Sequence, residues 1–217
     1  EESKKYLLYL QKFFDENKII LIFDETITGV RTYEGSVHRK FKLSPSISIF
    51  GKCIGGGAPI SVVGINKKIS QKMNKLKKKI YFGGTFSGNS TSTFICYETI
   101  KYIMNNKKII KELNFKTNFI KKEINQFLKK NNLKAKIYSF ESMLRIVFSN
   151  KKITNRLQRD FLEKKQNSNI IKFKKFLFKN KIYYPSNGVL FISNETTLKN
   201  CKFLISKICA GLNNYFK

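Results

Sequence analysis

Between Lys4 and Glu16 the apolar residues Leu7, Leu10 and Phe14 recur near helical spacing, so the chain opens with an amphipathic helix over 4–16. The pattern then changes. IILIFD (19–24) is a continuous apolar run that stops on an acid. A run of that length without polar alternation predicts a strand covered on both faces, as in a parallel sheet. SISIF (46–50) and ISVVGI (60–65) are two further strand candidates, and 68–78 reads as a short surface helix. YFGGTFSGNS (81–90) is a glycine-rich loop whose Asn89 or Ser90 is placed to cap the next helix.

From Thr91 to about Lys130 the periodicity is helical, with a break near Asn105-Asn106. The character then shifts to alternating short elements. KIYSF (136–140), MLRIVF (143–148), a lysine-rich helix over 167–179, KIYYP (181–185), GVLFIS (188–193) and a closing helix from about Glu195 to Asn213 read as a small α/β domain. No internal repeat or low-complexity linker interrupts the chain.

Composition narrows the class. With 217 residues, 41% of them hydrophobic, and 20 Phe and 10 Tyr, the chain is globular material with enough length for a core. No run approaches the ~18 apolar residues of a membrane helix. The first residues, EESKKYLLYL, lack a basic-then-apolar leader pattern, which predicts a cytoplasmic protein. The absence of an initiator Met suggests a piece of a longer chain. Cys53, Cys96, Cys201 and Cys209 form no CxxC pair and His38 is the sole histidine, so neither a zinc site nor a disulfide scaffold is expected. A formal charge of +29 raises the possibility of a nucleic-acid partner. The lysines are spread over almost every helical segment, however, as solvated faces are and a one-sided groove is not.

The chemistry sits at two strand ends. Asp24 closes IILIFD, and Lys52 follows SISIF-Gly51. In open α/β sheets ligands bind beyond the carboxyl ends of strands, and the 28-residue separation leaves room for a crossover between them. An Asp after an apolar run ordinarily caps a turn, and a lysine here ordinarily meets water. The setting of Lys52 points elsewhere: Gly55, Gly56 and Gly57 follow it, and glycines let backbone approach a ligand closely. A nucleotide-binding P-loop is excluded, because Cys53 follows the lysine and Ser46 stands where that motif needs glycine. A strand-end lysine paired with a carboxylate suits pyridoxal 5'-phosphate chemistry. The amine forms a Schiff base with the aldehyde, and the carboxylate keeps the pyridine nitrogen protonated.

Three motifs in order carry a resemblance. LIFDETITGVR, FGKCIGGGAP and GGTFSGN are similar to the cofactor-aspartate, Schiff-base-lysine and following-loop motifs of class III pyridoxal-phosphate aminotransferases. GTFSGN, with a weaker match in NKIYYPSNGVLFIS, most resembles the glutamate-1-semialdehyde aminomutase branch. The resemblance implies an α/β chain forming part of a fold-type I transferase. Residues 1–110 would be the second half of the large, mainly parallel-sheet domain, and 111–217 the small C-terminal domain. It implies Lys52 and Asp24 as catalytic residues, and a cofactor site made by Asp24, Thr26, Lys52 and Thr85. Thr85, in a loop shaped by Ser87 and Gly88, would bind the cofactor phosphate of a neighbouring subunit. A homodimer with shared sites, acting on a small-molecule amino donor and acceptor, follows.

This sequence departs from the family pattern at two places. Thr26 stands where a branched apolar residue usually lies under the pyridine ring, and its hydroxyl needs a partner. Ser186-Asn187-Gly188 occupies the neighbourhood where the aminomutase branch carries a glutamate. Family members also run about twice this length, and the loop that wraps the phosphate at a helix N-terminus lies in the half this chain does not match. Arg31, Arg145 and Arg156 are possible carboxylate partners, although each has an ordinary structural alternative. Two rival readings therefore stay open: an inactive truncated relic, and a basic module that binds nucleic acid or acidic surfaces.

Overall fold

The computed structural model describes residues 2–81 and 83–216. Two compact units divide the chain, Glu1–Lys107 and Lys108–Lys217. The first begins with α1 (Glu2–Glu16), followed by β1 (Ile22–Asp24), α2 (Val37–Phe41), β2 (Ile47–Phe50), a 3₁₀ turn (Lys52–Gly55) and β3 (Val62–Ile65). α3 (Lys67–Asn74) and α4 (Ser90–Asn105) complete it. The sheet order is β1-β2-β3. β1 and β2 are parallel, with Asp24 opposite Ile49, as two strands joined by a crossover must be. β3 returns antiparallel to β2, so the sheet is mixed.

The expectation that 19–24 is a strand covered on both faces is corrected. Only Ile22–Asp24 pairs, and Ile19, Ile20 and Ile22 are exposed. All four residues of β3 are exposed too. Among the described residues, the buried apolar cluster of this unit is small: Val30, Ile54 and Cys96, with Phe50, Cys53, Ile60, Ile100 and Ile103 partly buried around them. Asn89 caps α4 as its position suggests, accepting from the Ser92 N–H at 2.9 Å.

The second unit comprises α5 (Lys108–Lys130), β4 (Lys136–Phe140), β5 (Met143–Val147), α6 (Arg156–Lys164), α7 (Asn167–Lys179), β6 (Val189–Phe191) and α8 (Leu198–Tyr215). β4, β5 and β6 form an antiparallel sheet, with α6 and α7 inserted between β5 and β6. Its core follows from two periodicities. Ile120, Ile124 and Leu128 recur every fourth residue on α5, as do Phe173 and Leu177 on α7 and Ile208 and Leu212 on α8. Leu144 and Ile146 alternate on β5 and join Ile137 of β4 on the same buried side. Phe148 stacks on Phe216 at 4.7 Å between centroids and meets Phe173 edge-on at 5.6 Å. At Gly211 a Cβ would lie 2.8 Å from the Phe173 ring, so the glycine lets α8 approach α7 closely.

KIYYP (181–185) is not a strand. Lys181 lies in the left-handed region at φ 61°, which turns the chain out of α7. Tyr184 is buried, and its hydroxyl donates to the Gly188 carbonyl at 3.1 Å, folding 184–188 on itself.

Candidate active site

The parallel pairing of β1 and β2 places Asp24 at the carboxyl end of one strand and Lys52 two residues past the end of its neighbour. Both side chains are exposed. Asp24 is held below the ordinary carboxylate range by hydrogen bonds from the Thr26 hydroxyl and backbone N–H. Slight burial opposes this, and the Lys52 charge adds to it. The Thr26 N–H donates to Asp24 Oδ1 at 2.9 Å. The hydroxyl that distinguishes Thr26 from a branched apolar residue adds to this lowering. Its methyl faces Gly51, where an added Cβ would be 3.2 Å away.

Lys52 has φ 49°, a left-handed conformation that costs a lysine of order 1–3 kcal/mol and is held only where the surroundings determine it. The surroundings here are the buried Ile54 beyond it and Gly56, itself left-handed at φ 56°. A Cβ on Gly56 would overlap the Thr99 hydroxyl of α4, so the glycine lets the 3₁₀ turn seat on that helix.

A buried network behind Asp24 was not apparent in the sequence. Glu25 is 1% exposed, and its carboxylate accepts four hydrogen bonds. Oε1 takes the His38 N–H at 2.8 Å and pairs with His38 Nδ1 at 3.0 Å. Oε2 takes the Thr28 hydroxyl at 2.7 Å and the Val37 N–H at 2.9 Å. Its own N–H donates to the Ile49 carbonyl at 2.7 Å, which locks the start of the loop to β2. Glu25 therefore clamps the 25–38 crossover immediately after the aspartate. The one signal available was an acid directly following Asp24 and a lone histidine in the same crossover.

Thr85 sits on an exposed loop. With Ser87, Gly88 and Asn89 it lines a cavity of about 530 Å³ closed on the other side by Pro59, Ile60 and Ser61. Neither Asp24 nor Lys52 lines it. The structure thus brings Asp24, Thr26 and Lys52 together, and Ile60 and Ser61 of the Thr85 cavity pack beside Gly51, next to Lys52. Of the three arginines considered, Arg31 donates to the Ile27 carbonyl at 2.8 Å within the crossover, and Arg145 and Arg156 belong to the second unit.

The family model for aminotransferase class-III matches residues 1–177. The chain belongs to that family. Among its relatives is a glutamate-1-semialdehyde 2,1-aminomutase of Methanocaldococcus jannaschii, 29% identical over 98% of this chain and 48% of the relative. The same enzyme of Methanococcus vannielii is 30% identical over 93% of this chain and 45% of the relative. The class III chain therefore spans about half the length of the curated relatives it matches.

Solved structures agree on the class III fold. An omega-transaminase from Sphaerobacter thermophilus superposes with a TM-score of 0.83 at 16% identity, over 98% of this chain and 48% of the other. A glutamate-1-semialdehyde aminomutase from Pseudomonas aeruginosa gives 0.83 at 16%, over 95% and 47%. The fold is α/β, corresponding to part of that transferase architecture.

Proposed function

We propose that this chain supplies the lysine and the aspartate of a pyridoxal-phosphate site and takes part in moving an amino group, as an aminotransferase or a glutamate-1-semialdehyde aminomutase does. One observation carries the reading: Asp24 ends one strand and Lys52 lies two residues past the end of its parallel neighbour. The donor set fits the cofactor, since it offers a primary amine, an ionised carboxylate and loop hydroxyls. When bound, the cofactor supplies an electron sink for the substrate carbon.

The remaining work falls to residues of this chain. The Lys52 amine would hold the cofactor aldehyde and, once released from it, move a proton to and from the substrate carbon. Asp24, kept ionised by Thr26, would hold the proton on the pyridine nitrogen. Thr26 would help hold the pyridine ring. Thr85, on an exposed loop, would bind the phosphate across a subunit boundary, in a cytoplasmic homodimer with shared sites. Residues 1–110 would act as the cofactor-binding part and 111–217 as the small domain, in keeping with the division at Lys107. The open sheet of the first unit favours a second reading, that these 217 residues alone are inactive.

The test uses a polypeptide that joins this chain to the part of the class III fold it does not span. Amino transfer between a small amino donor and a carbonyl acceptor should be lost in Lys52→Ala by at least roughly 10²-fold, the contribution of a positioned acid–base group. An undiminished rate in that variant would refute the assignment.

A further inference from the structure

We propose that the second unit holds a binding pocket for a small oxyanion, a carboxylate or phosphate group, walled by Arg145, Arg156 and Arg159. Arg145 stands on β5, and the two others lie three residues apart at the start of α6. With Tyr138, Thr154 and Asn155 they line a cavity of about 270 Å³, a size that suits a small anion.

Two carboxylates brace these guanidinium groups, and neither lines the pocket. Asp160 accepts from Arg159 Nε at 2.9 Å and Nη2 at 2.5 Å, and from Arg156 Nε at 3.3 Å. Glu163 Oε2 accepts from Arg145 Nη2 at 3.1 Å and lies 3.8 Å from Arg159 Nε. Three cations against two anions leave the cluster one charge positive, with the cations on the cavity side.

Donors remain to be used. Arg145 gives Nη1 to the Asn187 carbonyl and Nη2 to Glu163, and its Nε is buried without a partner among the described residues, so it contributes charge to the cavity wall. Arg156 spends only Nε on Asp160, and its side chain is largely exposed. Planar guanidinium forks of this kind match carboxylate and phosphate oxygens in pairs. The cavity opens at the N-terminus of α6, capped by Asn155, where unpaired N–H groups add further positive potential.

The test titrates the whole 217-residue chain with inorganic phosphate and, separately, with acetate, at ionic strength fixed by chloride. The Arg145 and Arg159 Nε–H resonances are followed by NMR. Saturable shifts are expected, and the tighter of the two probes identifies the group the pocket takes. Arg156→Gln, at an exposed position that leaves the core untouched, should weaken binding roughly tenfold, the loss of one charged hydrogen-bond donor. Asp160→Asn should tighten it about threefold by removing a competing anion, a gain that a purely structural ion-pair network would not produce. Absence of saturable shifts, or affinity unchanged in both variants, would overturn the proposal.

Discussion

The two units of this chain bury their apolar residues differently. In the second, eighteen buried residues, drawn from three helices, two strands and the segments between them, close into one cluster around Phe173. In the first, three buried residues hold the cluster, while Ile19, Ile20, Ile22, Val62, Val63 and Ile65 lie open at the sheet. The exposed area of the chain is 14983 Å², against about 12,400 Å² for two separate globules of half its mass each. A completed core specifies its own fold. The first unit carries strands patterned for cover that the described residues do not supply, and the proposed catalytic pair stands at the ends of those strands.

Hydrogen exchange on the whole chain would break or sharpen this contrast with the largest effect. Amides of α5, α7 and α8 should exchange at least roughly 10²-fold more slowly than those of β1, β2 and β3, because local opening costs least where few apolar contacts hold an element. Equal protection in both units would end the comparison. Core truncation gives the next largest effect. Phe173→Ala should cost about 3–5 kcal/mol in denaturant unfolding monitored on the second unit, whereas Ile54→Ala in the thinner cluster should fall near 2 kcal/mol. A reversed order would contradict the account.

A smaller change tests how the first unit holds its site. Glu25→Gln keeps the shape but removes the charge that gathers Thr28, Val37 and His38. A loss of about 1.5–3 kcal/mol is expected, with faster exchange at the Val37 and His38 amides. If those amides stay protected, the clamp is not what fixes the crossover.

Much of the molecule was legible from spacing. The helical stretch running to Lys130, its break at Asn105-Asn106, and the strands that end at Asp24 and just before Lys52 all report local periodicity or local composition. What stayed hidden depended on distant partners. The direction of β3 is set by its pairing with β2, and an apolar run reads the same both ways. α6 escaped notice because its stripe residues Leu157 and Phe161 face solvent, beside many charges. The Glu25–His38 pair joins residues thirteen apart across a crossover without periodicity. That Thr26 departs from the family's branched apolar residue was visible, but that its hydroxyl lowers the Asp24 pKa was not.

That hydroxyl supports the smallest prediction. Asp24 ionises more readily in the folded chain, so its contribution to stability is present above its unfolded pKa and is lost as pH falls through the folded one. Thr26→Val should raise the Asp24 pKa, read by carboxyl NMR, and narrow the difference between the proteins on acidification. An unmoved Asp24 would show that the backbone N–H alone sets its ionisation.

The central claim is that the folded first unit makes Lys52 the residue that takes the cofactor. Incubation of the chain with pyridoxal 5'-phosphate, borohydride trapping and peptide mapping tests it directly. Lys52 should take a larger share of the label in the native chain than in the urea-unfolded chain, and Asp24→Ala should reduce that share. The same share in both states, with the label spread evenly over the other lysines, would contradict it.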